Sequence, residues 1–341
     1  MRAAVNTEYG DPEVVRVTEI ERPVPGPGEV LVRVHSAAVT AADSRLRAAR
    51  FPGGFGPIGR LALGLRRPRR TVLGNCVSGV VEAIGGESPG AGGARLRVGQ
   101  EVAGMTGARM GAHAEFALAK ATRFVPKPAG VSHDQAAGVL FGGSTAVHYL
   151  REKGRLAPGS SVLVVGASGA VGTNAVQLAA HLGARVTAVT SGANAGLAER
   201  LGASTVIDHS APGTPPASSG HGHRHGRGHG HSHVPYGLAE RFDLVLDTVG
   251  VLSPASGRRL LTERGVLLLA VADLGQTLRS VGRVKSGPAP EKPEVFAELL
   301  ELVDRGLLEV VVESVHPLDD IVAAHRRVDS GRKVGNILVH P

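Results

Sequence analysis

The stretch VLVVGASGAVGTNAVQLA, residues 162–179, decides the fold. It opens with four apolar residues, which are typical of a strand buried on both faces. Three glycines with GxxGxxG spacing follow, and then a helical pattern. Because glycines let the backbone approach a ligand and a helix N-terminus presents free N–H groups, this order is typical of a turn that binds a dinucleotide pyrophosphate. The predicted cofactor-binding turn consists of Gly166, Ala167, Ser168, Gly169, Ala170, Val171 and Gly172.

The residues after this turn alternate between apolar strands and helices. Strands are predicted at 185–190, 204–209, 242–250 and 264–272, and helices at 174–183 and 195–202. Apolar strands that alternate with helices indicate a parallel sheet covered on both faces. The middle of the chain is therefore predicted to be an α/β domain with a doubly wound parallel sheet, the Rossmann arrangement. A glycine turn with a purely structural role is the alternative.

The first 125 residues carry a different pattern. Segments 30–39, 71–85 and 94–105 are short β-rich runs separated by Pro- and Gly-rich stretches, which predicts a compact all-β unit. Residues 132–154 then predict one or two helices, with Ser132 as the N-cap. Near the end, residues 293–306 and 317–331 predict amphipathic helices, each followed by a strand.

The end of the second strand in the α/β domain indicates which cofactor fits. An acidic residue at this position would bind the adenosine ribose hydroxyls and repel a 2′-phosphate. The strand instead runs into Thr190 and Ser191, and the first acid is Glu199. The chain has 38 Lys and Arg against 30 Asp and Glu, and the resulting net charge of +8 favours an anionic partner. NADPH is therefore the predicted cofactor, with NADH as the alternative.

Composition argues against several other classes of protein. With 7 Phe, 3 Tyr and no Trp, few aromatic rings are available to stack on nucleic-acid bases, and the cluster at 66–70 (RRPRR) is predicted to be a solvated turn. The single cysteine, Cys76, excludes an intramolecular disulfide and a Cys-cluster zinc site, which suits a reducing cytoplasm. Glycine and polar residues interrupt the uncharged stretch 160–184, so neither a membrane span nor a membrane partner is expected.

Residues 210–236 interrupt the alternation with a segment rich in Pro, Gly, Ser and His. A surface loop is the simplest prediction. The segment contains His221, His223, His225, His229, His231 and His233. Imidazoles on a loop can take up a divalent metal adventitiously, which is the alternative to a solvated insert. A catalytic metal is not predicted here, because a Gly-His repeat provides no fixed ligand geometry.

Several motifs occur in an order that resembles one family. They are MRAAVNTEYGDPEVVRV at the start, HAEFALA at 113–119, GGSTAVHYL before the glycine turn, LGASTVIDH, FDLVLDTVG and GRKVGNILV. In these the chain resembles the medium-chain dehydrogenase/reductase superfamily, in its zinc-free quinone oxidoreductase branch. The resemblance implies a GroES-like β-rich catalytic domain at 1–125, a Rossmann domain at 126–280, a segment at 281–341 that returns to the catalytic domain, and a homodimer.

The resemblance also implies roles for individual residues. Thr145 matches a threonine beside the nicotinamide, and Thr248 matches the loop after the fourth strand. Ser191, Asn194 and His209 fall where relatives hold the 2′-phosphate. Thr40 and Asp43 are the candidates for catalytic residues in the substrate site, and no proton donor is identified.

Zinc-dependent members of the superfamily take a catalytic metal through a Cys and a His. At the matching positions this chain has Ala41, Ala42 and Asn75, so no catalytic zinc is predicted. Without a Lewis acid, an activated acceptor such as a quinone or an α,β-unsaturated carbonyl is favoured. The alternatives are an alcohol dehydrogenase or enoyl reductase of the same superfamily, or a non-enzymatic protein that senses NADPH or sequesters metal.

Overall fold

The computed structural model describes residues 1–86, 90, 95–212, 214 and 235–341. The chain divides into two units: unit 1 comprises Met1–Ser144 and Pro290–Pro341, and unit 2 comprises Thr145–Ala289. The histidine-rich stretch between His221 and His233 lies outside the described residues.

The strands of the described residues are β1 (Arg2–Asn6), β2 (Val15–Glu19), β3 (Glu29–Val39), β4 (Cys76–Ile84), β5 (Glu101–Met105), β6 (Phe116–Lys120), β7 (Phe124–Pro126), β8 (Ser161–Val165), β9 (Arg185–Thr190), β10 (Thr205–Asp208), β11 (Phe242–Asp247), β12 (Leu261–Leu269), β13 (Val284–Ser286), β14 (Val312–Pro317) and β15 (Asn336–His340). The helices are α1 (Ala41–Ala48), α2 (Gly56–Leu63), α3 (His133–Val147), α4 (Ala170–His181), α5 (Ala195–Arg200), α6 (Pro254–Arg258), α7 (Leu274–Leu278), α8 (Pro293–Asp304) and α9 (Ile321–Asp329).

Unit 2 contains a six-stranded sheet in the order β10-β9-β8-β11-β12-β13. All of its strand pairs are parallel. The central strand β8 is buried along its whole length, as its uninterrupted apolar sequence predicts. The direction of winding reverses between β8 and β11, which is where ligands bind in open α/β sheets. The predicted doubly wound parallel sheet is confirmed.

Unit 1 is built around a second, mostly antiparallel sheet in the order β14-β15-β3-β4-β5-β7, with β6 also paired to β3. Its long strand β3 reaches three partners, β15, β4 and β6. The β-rich architecture is confirmed, but the expectation that the first 125 residues are all β is wrong. Two helices, α1 and α2, follow β3. Thr40 and Asp43 form a capping box that starts α1 directly after the end of β3.

The helix predicted from Ser132 is α3, and its start is capped as expected. The N–H of Gln135 donates to the Ser132 hydroxyl, and the N–H of Ser132 donates to the Gln135 side chain. Beyond Val147 the helix continues as a π-helical turn, His148–Lys153.

The boundaries of the two units lie at 144/145 and 289/290, whereas the sequence suggested 125/126 and 280/281. Most of α3 belongs to unit 1 because glycines on it pack closely against other parts of that unit. A Cβ on Gly143 would lie 2.8 Å from Leu299 of α8, and one on Gly138 would lie 3.0 Å from Val310.

Candidate functional site

The glycine turn after β8 is held in place by the loop that follows β11. Gly166 has a φ of +82°, which favours glycine, and a Cβ there would lie 2.6 Å from the Thr248 hydroxyl. Thr248 donates to the Val165 carbonyl through both its N–H, at 3.1 Å, and its hydroxyl, at 2.8 Å. Thr248, predicted to contact the cofactor, therefore also fixes the turn.

Gly172 allows the turn to pack against the start of α4. A Cβ at this position would collide with the Gly166 carbonyl oxygen and would lie 2.7 Å from the Cα of Ala167. Gly169 is different, because a Cβ there would meet only the Gly166 oxygen, at an ordinary 3.5 Å. Gly169 therefore has open space on the side where a side chain would project.

The first turn of α4 offers backbone donors beside that space. The first helical bond of α4 runs from the Thr173 N–H to the Gly169 carbonyl, at 2.9 Å. The N–H groups of Ala170, Val171 and Gly172 therefore have no acceptor within the helix. In the described residues no side chain caps this end. Donors at a helix N-terminus with space in front of them fit a pyrophosphate.

The turn after β9 brings together the residues expected at the adenosine end of a cofactor. The Asn194 side chain donates to the Ser191 hydroxyl at 3.1 Å. Ala167 N–H and Gly166 N–H both donate to the carbonyl of Val189 near the end of the same strand, so the two turns are adjacent. His209 follows β10, is exposed, and donates its N–H to the Thr190 carbonyl at 3.0 Å.

Asp208 is an acidic group near this turn that the sequence analysis missed. It pairs with Thr190 in the parallel ladder between β10 and β9, so its carboxylate lies beside the turn after β9. Hydrogen bonds from Ser210 and from the N–H of Gly192 lower its pKa. The sequence pattern points to an acid only at the end of β9 itself, but the carboxyl ends of neighbouring parallel strands share one edge of the sheet. The strand order was the missing signal.

Asp247, at the end of β11, is the second missed residue. It is fully buried and accepts hydrogen bonds from the N–H groups of Val249, Gly250 and Leu252, at 2.7–2.9 Å. Burial raises the pKa of its carboxyl, and these backbone bonds oppose that rise. Asp247 therefore shapes the loop that begins with Thr248.

Thr145 and Tyr149 lie near the C-terminal end of α3 and in the π-helical turn. Thr145 is half-buried. The Tyr149 hydroxyl donates to the carbonyls of Leu269 and Gly287, at 3.0 and 2.6 Å, and burial raises its pKa. Lys153 lies over the Tyr149 ring, with its ammonium 4.9 Å from the ring centre. A catalytic tyrosine needs a lowered pKa, so the contact between Tyr149 and Lys153 has a structural role.

Thr40 and Asp43 form a buried hydrogen-bonded unit in unit 1. The Asp43 carboxylate accepts from the Thr40 N–H at 2.8 Å, the Thr40 hydroxyl at 2.7 Å and the Gly74 N–H at 2.9 Å. Asp43 has only 1% of its surface exposed. These bonds join the start of α1 to the segment before β4, which is a structural role. The catalytic role expected for both residues stays a prediction.

Asn75, at the position of the zinc-binding histidine of other members, belongs to a polar network. Its amide donates to Glu291 at 3.3 Å and accepts from the Cys76 thiol at 3.3 Å. Glu291 is held in turn by Arg123 at 2.5 Å. Burial raises the pKa of the Cys76 thiol. Glu291 is 216 positions from Asn75, so no local pattern could have revealed this contact.

A second polar cluster in unit 1 surrounds His325 on α9. Its ring is fully buried, and neither ring nitrogen has a partner in the described part of the chain. Burial, together with the neighbouring His113 and Arg47, lowers its pKa to about 2. Arg47 is also fully buried and pairs with Asp329 at 2.5 Å.

The described residues contain neither a metal-binding cluster nor a helix that could span a membrane. Across residues 1–86, 95–212 and 235–341, no group of three or more His, Cys, Asp or Glu side chains is arranged to hold a metal ion. The absence of a catalytic zinc stays a prediction, as does metal binding by the histidine-rich segment. None of the described helices combines the length and the apolar character needed to cross a bilayer.

Comparison with known proteins identifies the class to which this fold and turn belong. The family model described as alcohol dehydrogenase GroES-like domain matches residues 26–129, and the model described as zinc-binding dehydrogenase matches residues 233–339. A quinone oxidoreductase from Pseudomonas aeruginosa is 28% identical over 98% of this chain and 97% of its own length.

Two solved structures extend the comparison. The quinone oxidoreductase from Coxiella burnetii covers 100% of this chain and 99% of its own, with a TM-score of 0.82 at 21% identity, which shows the shared fold. A mycobacterial protein complexed with NADPH covers 100% of both chains, with a TM-score of 0.74 at 26% identity. The chain belongs to the medium-chain dehydrogenase/reductase superfamily, in its quinone oxidoreductase-like branch. It is an oxidoreductase, so the non-enzymatic alternatives are set aside.

Proposed function

We propose that this chain is an NADPH-dependent, zinc-free oxidoreductase that transfers hydride to a quinone or an α,β-unsaturated carbonyl compound. The observation that carries the proposal is the turn from Gly166 to Gly172, which presents the free N–H groups of α4 at the carboxyl end of β8, where the direction of winding reverses between β8 and β11. Relatives named for quinone reduction, and one solved in complex with NADPH, support the same assignment.

In this proposal the residues of unit 2 bind and orient the cofactor. The N–H groups of Ala170 and Val171 donate to the pyrophosphate, and the bare backbone at Gly169 leaves room for it. Ser191 and Asn194 offer polar, uncharged groups to the adenosine end, which favours a 2′-phosphate there. Asp208 opposes that preference, since its carboxylate lies beside the same turn.

The bound reduced nicotinamide supplies the hydride. A quinone accepts it without metal assistance and becomes a hydroquinone after taking up one proton, which solvent provides. Tyr149 is not the donor, because its hydroxyl is buried and already donates to two carbonyls. Asn75 takes no metal in this proposal, because its amide group is engaged by Glu291 and Cys76.

Oxidation of NADPH and of NADH, followed at the nicotinamide absorbance with a panel of quinones and enones, tests the proposal. Each assay is run with and without a strong chelator. Turnover that persists with chelator and favours NADPH is the expected result. Activity that chelation abolishes, or turnover only with simple alcohols or ketones, would overturn the zinc-free assignment.

We also propose that the protein is a homodimer joined through the sheets of unit 2. The resemblance suggests this arrangement, and β13 is the edge strand of the six-stranded sheet. Light scattering coupled to size-exclusion chromatography should give twice the chain mass, and a monomer at all concentrations would contradict the proposal.

A further inference from the structure

The positive charge of this protein is concentrated in one stretch of sequence. Residues 44–81 contain eight arginines and no Asp, Glu or Lys. The formal charge of this segment equals the net charge of +8 of the whole chain, so all other residues balance one another. Such asymmetry favours an anionic partner at one surface over a diffuse attraction.

Five of these arginines lie on the surface. They are Arg60, Arg66, Arg67, Arg69 and Arg70, and all are exposed. Within the described residues none of them is in an ion pair, although Arg60 and Arg69 donate to nearby backbone carbonyls. The other three have different surroundings: Arg47 is buried against Asp329, Arg50 pairs with Asp11, and Arg45 is half-buried. The five surface arginines therefore keep their charge available to a partner.

Large apolar side chains lie among the same arginines. Ile58, Leu61 and Leu65 have 58%, 64% and 67% of their surface exposed. Ile58 and Leu61 are three residues apart on α2, so they share one face of the helix, and Leu65 follows its end. A protein surface does not usually group exposed apolar residues of this size, and such a group marks an interaction site.

The helix that carries them is fixed to unit 1 from its other side. The Phe51 ring packs against Gly59, where a Cβ would lie 2.7 Å from it. At the end of α2 the Tyr9 hydroxyl donates to the Gly64 carbonyl at 2.8 Å, and the Arg60 guanidinium lies 5.4 Å from the centre of the Tyr9 ring. These contacts hold the backbone of α2 and leave Ile58 and Leu61 outside.

We propose that residues 56–70 form a docking surface for an anionic lipid bilayer. Apolar side chains on a short amphipathic helix insert at the headgroup boundary, and arginines beside them pair with anionic headgroups. A nucleic acid would use the arginines but would leave the exposed Ile58, Leu61 and Leu65 in water, so a bilayer fits both features. The sequence predicts no membrane partner because no stretch is suited to span a bilayer, but peripheral docking needs no spanning segment. The proposal does not depend on the reaction proposed above.

Flotation of the full-length protein with vesicles tests this inference, without cofactor or acceptor present. We expect binding to vesicles of equimolar phosphatidylcholine and phosphatidylglycerol, and little binding to phosphatidylcholine alone. High salt should weaken the binding, because the Debye length shrinks from about 10 Å at 0.1 M to about 3 Å at 1 M. Binding to both vesicles alike, or to neither, would overturn the proposal.

Two variants separate the contributions of charge and of apolar insertion. The triple variant Arg66→Gln, Arg67→Gln, Arg70→Gln should weaken binding about a hundredfold, since each arginine near an anionic surface contributes roughly fivefold. Leu61→Ser should weaken it roughly tenfold through lost apolar burial. Because Leu61 is exposed, this second variant keeps the test decisive if the triple variant does not fold.

The matched control neutralises three exposed arginines elsewhere: Arg16→Gln, Arg155→Gln, Arg332→Gln. These side chains are exposed, and the same net charge is removed. The control has a smaller net positive charge, which weakens its long-range attraction only slightly. We expect its affinity for vesicles to lie within about twofold of that of the unmodified chain. If the control and the test variant lose the same affinity for vesicles, net charge alone explains the binding and the proposal is overturned. The proposal would also be overturned if the protein bound duplex DNA instead of vesicles and this binding depended on Arg66, Arg67 and Arg70. The surface would then be assigned to nucleic acid.

Discussion

Replacing Gly169 by alanine should separate cofactor binding from folding. The backbone at Gly169 has φ −77° and ψ 171°, which any residue adopts, and the new Cβ would meet only the Gly166 oxygen at 3.5 Å. Alanine lowers the conformational entropy of the unfolded chain, which stabilises the fold, but it is a slightly poorer N-cap than glycine. The two effects nearly cancel. We therefore expect the free energy of unfolding to change by no more than about 0.5 kcal/mol.

The same methyl group would fill the space through which a pyrophosphate reaches the first turn of α4. Losing one hydrogen bond to a charged group costs about 1.5–3 kcal/mol. The dissociation constant for NADPH should therefore rise about tenfold to a hundredfold. Isothermal titration calorimetry gives the affinity, and denaturant unfolding without cofactor gives the stability of the same preparation.

Gly172→Ala is the matched variant, with the opposite expectation for folding. Its Cβ would collide with the Gly166 oxygen and lie 2.7 Å from the Cα of Ala167. Overpacking of this kind costs about 1–3 kcal/mol, so this variant should lose stability even without ligand. If Gly169→Ala binds NADPH within about twofold of the unmodified chain, the pyrophosphate does not approach Gly169 and the assignment of this turn is refuted.

Three further predictions concern the surrounding residues. Tyr149→Phe should lower the free energy of unfolding by about 1–2 kcal/mol, because two carbonyls lose their donor, while turnover stays unchanged; a fall in turnover with an unchanged melting temperature would show a catalytic role instead. Asp208→Asn should raise the ratio of kcat/KM for NADPH over NADH severalfold, since it removes a negative charge beside the turn after β9; steady-state kinetics with both cofactors measures this, and an unchanged ratio would place the 2′-phosphate elsewhere. His325 is neutral in the folded state, with a pKa lowered to about 2, so the unfolded chain takes up a proton below about pH 6.5 that the folded chain does not. Stability should then fall by up to about 1.4 kcal/mol per pH unit on acidification, and denaturant unfolding of His325→Leu should show a shallower slope.

The features that could be predicted from the sequence are those that depend on residues close together in the chain. The apolar run of β8, the glycine turn and α4 follow one another directly, so the pattern predicts both the parallel sheet and the ligand-binding turn. Ser132 caps α3 as expected, because the capping box involves residues only three positions apart. The fold class and the family were confirmed on this basis.

The features that were missed depend on contacts between distant segments. Asp208 reaches the turn after β9 only because β10 lies next to β9, and Glu291 meets Asn75 across 216 positions. The helix α1 is the exception, because its capping box and its Ala- and Arg-rich sequence are local signals that lie between β-rich segments. Single-sequence periodicity reports which face of an element is buried, not which elements become neighbours.

The position of β15 has a consequence for how the protein folds during synthesis. In unit 1 this strand lies between β14 and β3, in the interior of the sheet, although unit 2 separates it from β3 in the chain. Unit 2 is continuous and can fold as soon as it leaves the ribosome. Until β15 emerges, the end of β3 at 37–39 lacks this partner strand. The earlier part of unit 1 is therefore the part of the nascent chain that depends on protection from aggregation.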